Sequence, residues 1–242
     1  MDWNAVTTPL IFAHRGSSHD APENTLSAFG LAATQNANGI ELDVQLSADG
    51  WPVVIHDFTV DRTTDGNGKV ADFPLADLQT LKIEGDERIP TLDEVFETFG
   101  PQFIYNIEVK DLSLRDRGLE AAVADRIEAH HLEEQVIISS FNPFSLKRFR
   151  KYAPTRIPRA LLRDKGLMRF TSILNDGEGD NPHYSLVDKR YMTWAAKRAY
   201  KIIAWTVDEP DEAIRLTNLG VHGLITNRPD LLRSKVFPQK QQ

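Results

Sequence analysis

The chain alternates short apolar runs with longer stretches in which apolar residues recur three and four apart. Residues 10–13 are apolar and stop abruptly at His14-Arg15-Gly16, as a buried strand with a polar C-terminal end would. Leu26, Phe29 and Ala33 then recur at helical spacing, with Asn24 as the expected N-cap. Asn38-Gly39 closes that helix and leads into residues 39–44, where Ile40, Leu42 and Val44 alternate with Glu41 and Asp43. The chain thus opens strand, helix, strand, as a parallel barrel or doubly wound sheet does.

Ser47-Ala48-Asp49-Gly50 is a turn signal, and residues 52–57 follow too closely for a parallel crossover. They are expected to return as an antiparallel hairpin arm carrying His56 and Asp57. Residues 58–90 read as a polar, turn-rich excursion off the main body, with a short helix at Leu75, Leu78 and Leu81. A helix over 92–99 precedes a regular alternation: strand 103–110, helix near 119–127, strand 136–141, then Asn142-Pro143 as cap and first helical residue. A weaker strand is predicted at 160–162 and another at 184–187, followed by a helix with Tyr191, Trp194 and Ala195. Residues 201–207 read as a strand, 210–220 as a helix, 224–226 as the last strand, and Arg228-Pro229 as the start of a final helix. The tail 238–242 is expected to fray.

About eight parallel-strand candidates, mostly followed by helices, in 242 residues fit an α/β fold of the (β/α)8 TIM-barrel type. The expected organisation is one barrel domain over 1–242, with 58–90 as a short insertion.

Composition narrows the chemistry. There is no cysteine, which excludes disulfides, zinc–thiolate sites and thiol nucleophiles and fits a reducing cytoplasm. A formal net charge of −7 argues against nucleic acid or an anionic membrane as main partner. Residues 1–6 show neither a basic nor an apolar leader region, and no apolar run approaches a bilayer-spanning length. The expectation is a soluble, cytoplasmic protein without stable membrane insertion.

Side chains two apart on a strand share a face, so Glu41 and Asp43 project together. If that face is buried, two unpaired acids would be strongly unfavourable and a divalent cation is the simplest resolution. If it is wet, they need none. Other polar residues gather at predicted strand ends: His14 and Arg15, His56, Glu108 and Lys110, then Phe141 and Trp205. In a barrel these ends converge on one face. Oxygen-rich ligands suit a hard cation such as Mg²⁺ or Ca²⁺. A metal with two further cations suits a phosphate ester, and two histidines suit proton transfer near neutral pH.

These residues stand in motifs that resemble the glycerophosphodiester phosphodiesterase family over nearly the whole chain. They are His14-Arg15-Gly16, Pro22-Glu23-Asn24-Thr25, Glu41-Leu42-Asp43 and His56-Asp57, then Arg62-Thr63-Thr64 and the glycines Gly66 and Gly68. Asn106-Ile107-Glu108-Val109-Lys110, Ser140-Phe141-Asn142-Pro143, Trp205-Thr206-Val207 and Gly223-Leu224-Ile225-Thr226 follow in the family's order. The resemblance implies a divalent cation on Glu41, Asp43 and Glu108, His14 and His56 as base and acid, and Arg15 and Lys110 on the phosphate. It implies hydrolysis of a small glycerophosphodiester to glycerol 3-phosphate and an alcohol such as choline or ethanolamine. A homo-oligomer is left open.

Beside this stand two alternatives: a related barrel phosphodiesterase acting on lysophospholipid or phospholipid, and a non-catalytic phosphodiester-binding protein. Phe141 and Trp205 either line the pocket against glycerol or belong to the core. Glu23 and Asn24 are expected as loop and cap residues. The helix bearing Lys147, Arg148, Arg150 and Lys151 is expected as a solvated face. The family often closes its last strand with Thr-Asp-x-Pro, whereas this chain has Thr226-Asn227-Arg228-Pro229. An amide cannot supply that charge, so Asn227 is expected only to cap the last helix.

Overall fold

The computed structural model describes residues 8–153, 157–165 and 173–236. The leaderless start read at 1–6 and the frayed tail read at 238–242 lie outside them. Nine strands form one sheet in the order β1 (Leu10–His14), β9 (Gly223–Thr226), β8 (Lys201–Ala204), β7 (Gly179–Pro182), β6 (Arg159–Arg163), β5 (Val136–Ser140), β4 (Ile104–Val109), β2 (Gly39–Leu46) and β3 (Pro52–Val54). β1 also pairs with β2, which closes the ring. β3 lies outside it, antiparallel on β2, and leaves a closed eight-stranded parallel barrel. The (β/α)8 expectation and the hairpin arm are both met.

The barrel's outer face is covered by α1 (Leu26–Thr34), α3 (Leu92–Phe99), α4 (Leu119–Ala129) and α5 (Pro143–Tyr152) on one side. On the other side lie α6 (Lys189–Ala196), α7 (Pro210–Leu219) and α8 (Pro229–Lys235). Its interior is plugged by Phe12, Ile137, Ala160, Ile203 and Ile225, all buried. Gly39 makes room for that plug: a Cβ there would stand 2.8 Å from the Phe12 ring and 2.2 Å from the Ile104 carbonyl oxygen. Above this apolar layer, register sets His14 beside Glu41 and Asn106, and Asp43 beside Glu108 and Ser139. The apolar floor and polar rim of the barrel therefore follow from alternate positions on the same strands.

The excursion contains the short helix α2 (Leu75–Leu78) and a more apolar interior than its sequence implies. Val60, Val70, Leu78, Ile83 and Ile89 pack with Val53 and Ile55 of the hairpin arm. Gly66 and Gly68 serve turns, since their amides donate to Thr64 Oγ1 and Asp61 Oδ1.

Several elements differ from expectation. The strand predicted at 184–187 is a 3-10 turn over Tyr184–Leu186, and the strand is β7, Gly179–Pro182. A polar Gly-Asp-Asn-Pro run can be buried there because Asp180 is ion-paired with Arg163 of β6 and also binds Tyr191 of α6. β8 ends at Ala204 rather than 207, although Trp205 continues as an isolated bridge to His183. Asn142 caps α5 as expected, accepting from Phe144 N. Thr25, not Asn24, caps α1. Asn227 does not cap α8, whose N-cap is Arg228 without a side-chain bond.

Candidate active site

The site begins where β1 ends. Arg15 has φ 56° and Gly16 φ 83°, a left-handed pair that turns the chain sharply after His14. Glycine is needed at 16, because a Cβ would lie 2.6 Å from Ala28 Cβ. The turn aims the Arg15 backbone N–H at Glu41 Oε2, 3.2 Å away, and its guanidinium at two further acids. Arg15 Nη1 donates to Glu23 Oε1 at 3.1 Å, and Nε stands 3.3 Å from Asp43 Oδ2 without the alignment of a hydrogen bond.

Three carboxylates crowd the next layer. Glu41, Asp43 and Glu108 are buried and each offers an oxygen within 4.8 Å of the others. Burial and the neighbouring Asp43 push Glu41 well above the ordinary carboxylate range. The same two causes push Glu108 up to about 7. Burial works in the same direction on Asp43, but Lys110 and Arg15 outweigh it and hold this carboxyl low. Asp43 Oδ2 accepts from Asn24 Nδ2 at 3.0 Å. Its Oδ1 accepts no hydrogen bond and has Lys110 Nζ at 3.5 Å, while Lys110 donates to Glu108 Oε1 at 3.1 Å. A buried acceptor without a hydrogen bond, beside two carboxyls that resist ionisation, is a donor set short of positive charge. Its all-oxygen composition fits a hard divalent cation.

Two imidazoles flank the acids. His14 Nδ1 lies 2.6 Å from Asn227 Oδ1, and its Nε2 faces Glu41 Oε2 at 3.9 Å. Burial, aided by the charge of Arg15, lowers His14 to about 4, so it is neutral at physiological pH. His56 follows β3 and contacts Asp57 Oδ1 through Nδ1 at 2.6 Å. The backbone of that turn is held by Gln45, whose Nε2 donates to the carbonyls of Ile55, His56 and Asp57. Asp57 is tied in turn to Arg62, which lowers it to about 2, and Arg62 grips both oxygens of Glu23. A continuous polar network therefore runs from His56 through the excursion to Arg15.

A cavity of about 180 Å³ opens over these groups, lined by His14, Arg15, Glu41, His56 and Glu108 on its polar side. Phe141 and Trp205 supply its apolar side, their rings edge to face with centroids 5.7 Å apart. A second cavity of about 250 Å³ adjoins it across His14 and Arg15 and reaches Asp208 and Asn227.

Of the nine residues singled out from sequence, seven line the first cavity. Asp43 and Lys110 join through the ion pairs just given. Phe141 and Trp205 face the cavity and are only partly buried, with Trp205 also packed against the barrel plug. Sequence reasoning missed Asn24, Glu23, Asp57, Gln45 and Asp208 as parts of the site. The Pro-Glu-Asn-Thr motif held the signal for two of them, but a positive φ of 57° at Asn24 turns the expected cap residue inward. The solvated-face reading fails for Arg148, which is 7% exposed and bonded to Glu120 and Asp111.

Residues 14–231 match the model of the glycerophosphoryl diester phosphodiesterase family. The glycerophosphodiester phosphodiesterase of Caldanaerobacter subterraneus subsp. tengcongensis is 42% identical over 234 residues, covering 92% of this chain and 96% of its own. That of Bacillus altitudinis is 36% identical, covering 91% and 95%. Among solved structures, an Oleispira antarctica phosphodiesterase in complex with the product sn-glycerol-3-phosphate superposes with a TM-score of 0.84. It is 32% identical, with 96% of this chain and 98% of that one covered. The glycerophosphodiester phosphodiesterase of Thermotoga maritima superposes at 0.76 with 28% identity, over 93% and 97% of the two chains. With a family match across nearly its whole length, this chain belongs to the glycerophosphoryl diester phosphodiesterase family and is a phosphoric diester hydrolase.

Proposed function

We propose that this enzyme hydrolyses small glycerophosphodiesters, such as glycerophosphocholine and glycerophosphoethanolamine, to glycerol 3-phosphate and an alcohol, and that it needs Mg²⁺ or Ca²⁺. The observation that carries the reading is the grouping of three buried carboxylates, two imidazoles and two cations around one cavity. Glu41, Asp43 and Glu108 would hold the cation, which when bound supplies charge to a phosphoryl oxygen.

The chain's own groups divide the remaining work. Arg15 and Lys110 offer positive charge to the phosphate. Both stand against Asp43, so anion binding exchanges one ion pair for another. Phe141 and Trp205 pack on the glycerol carbons and exclude water from that side. His14 takes the proton of the attacking hydroxyl: that of water, which gives glycerol 3-phosphate directly, or that of the glycerol 2-position, which gives a cyclic phosphate that water then opens. Its lowered pKa leaves the ring neutral and able to accept a proton. His56 gives a proton to the leaving alcohol, with its Nδ1 engaged by Asp57 and its Nε2 the nitrogen that can reach the cavity. Incubation with glycerophosphocholine and His14→Ala tests the division. Turnover should fall by about 10²-fold or more, and wild-type turnover would remove His14 from the chemistry. The reading includes one catalytic domain over 1–242 and a cytoplasmic location. Among the described residues no helix is long and apolar enough to cross a membrane.

Action on lysophospholipid has one observation in its favour. Leu112 and Leu114 are 70% and 76% exposed, on a loop anchored by Asn142 and Arg148. Leu112 lines a cavity of about 370 Å³ that also includes Phe58 and Lys110. Release of choline from lysophosphatidylcholine vesicles at a rate comparable with glycerophosphocholine would favour this second reading.

A further inference from the structure

The hydrogen bonds behind His14 form a chain whose direction is fixed from its far end. Asp208 stands in the loop between β8 and α7. Its Oδ1 accepts from Asn227 N at 2.8 Å and from Thr226 Oγ1 at 3.0 Å, and its Oδ2 faces the Asn227 side chain at 2.7 Å. A carboxylate has no proton to give, so that last contact has to be a donation from the amide nitrogen of Asn227. The amide oxygen of Asn227 is thereby turned the other way. It lies 2.9 Å from Ser18 Oγ and 2.6 Å from His14 Nδ1. An amide oxygen only accepts, so the proton of neutral His14 belongs on Nδ1. The lone pair is left on Nε2, the nitrogen that faces Glu41 across the cavity at 3.9 Å.

We propose that Asp208 is a positioning residue: acting through Asn227, it holds His14 in the Nδ1–H tautomer and keeps Nε2 free to accept a proton. Asp208 touches neither His14 nor the first cavity, and Asn227 is the only link it needs. The effect on rate rests on His14 being the base of the proposed reaction; the tautomer itself does not. The arrangement also gives the Thr226-Asn227-Arg228-Pro229 ending a use that helix capping does not. The amide relays the polarity of a carboxylate one residue further back. When the base acts, the proton leaves the attacking hydroxyl for Nε2 and the Nδ1–H bond to Asn227 stays in place, so nothing in the relay has to rearrange.

The test is nitrogen NMR of ¹⁵N-labelled enzyme with Mg²⁺ present, the His14 ring assigned by its loss in His14→Gln, together with steady-state kinetics. Wild type should show a protonated Nδ1 and an unprotonated Nε2. Asp208→Asn is nearly isosteric, but its amide can donate to Asn227. The Asn227 amide then turns, its nitrogen faces His14, and the ring proton moves to Nε2. We expect that shift in the spectrum and a fall in kcat of about 10²-fold or more, with KM changed far less. In the double variant Asp208→Asn/Asn227→Asp the amide and carboxylate trade places, and both the wild-type tautomer and most of kcat should return. A role limited to tying the loop to β9 would alter melting temperature without moving the ring proton. A wild-type ring protonated on Nε2 would overturn the proposal, as would an Asp208→Asn enzyme with unchanged tautomer and kcat. Should Asp208→Asn fail to fold, the wild-type spectrum and the double variant still decide. Should His14→Gln instead retain full activity, the assignment of the base fails while the tautomer result stands.

Discussion

At the proposed metal site, Glu41 and Glu108 stand in surroundings that oppose stability while the fold brings them together with Asp43. Burial and mutual repulsion make the ionised forms of Glu41 and Glu108 unfavourable in the folded chain. For Glu108 the sign is explicit. Between the ordinary value of 4.5 and about 7 the folded state holds a proton that the unfolded chain has released, so this group's contribution falls as pH rises. His14, lowered from 6.5 to about 4, works oppositely, because the unfolded chain binds the extra proton between those values. The two overlap, so the comparison has to be with a variant. In excess chelator, Glu108→Gln should become progressively more stable than wild type from pH 4.5 to about 7. The difference should reach on the order of 1–3 kcal/mol in denaturant unfolding. Saturating Mg²⁺ should reverse the order, since the variant loses a ligand. The acids themselves were legible from spacing on two strands. Asn24 and Asp208 were not, because one depends on a left-handed turn and the other on a contact between two loops distant in sequence.

Among elements, β7 is the least legible from sequence and among the most dependent on its neighbours. Gly-Asp-Asn-Pro has no apolar alternation, and its burial depends on the Asp180–Arg163 pair and on Tyr191. Removing one partner of a buried ion pair is strongly destabilising. Asp180→Ala should therefore destabilise the fold by about 3–5 kcal/mol. The melting temperature should drop while kcat of the remaining folded enzyme stays close to wild type. A stable Asp180→Ala enzyme would mean that β7 is held otherwise. The excursion makes a different kind of contribution. Its Arg62 joins Asp57, which backs His56, to Glu23, which backs Arg15. Arg62→Ala should lower kcat roughly 10–100-fold, as loss of groups supporting a site commonly does. Unchanged kinetics would make the network a surface feature only. The hairpin arm, by contrast, was readable from a turn too short for a crossover.

The molecule as a whole carries a formal net charge of −7 around a proposed phosphate site that itself gathers three carboxylates. With a net charge of −7, attraction for an anionic substrate has to come from Arg15 and Lys110 and from any cation held by the acids. The barrel makes that concentration of charge feasible: its apolar plug fixes the strands, and the rim residues on alternate positions converge without choice. Most strands and the rim residues they carry were legible because they are written in local periodicity, with β7 the exception. The direction of the hydrogen bonds behind them was not, because it depends on closure of the ring between β9 and β1.

The most direct measurement is ³¹P NMR of glycerophosphocholine incubated with the purified enzyme, with Mg²⁺ or Ca²⁺ and with excess chelator in parallel. Conversion of the diester resonance to glycerol 3-phosphate with metal, abolished by chelator and restored on adding metal back, is the expected result. Undiminished conversion in chelator would contradict the metal centre, and an unchanged diester under every condition would contradict the substrate.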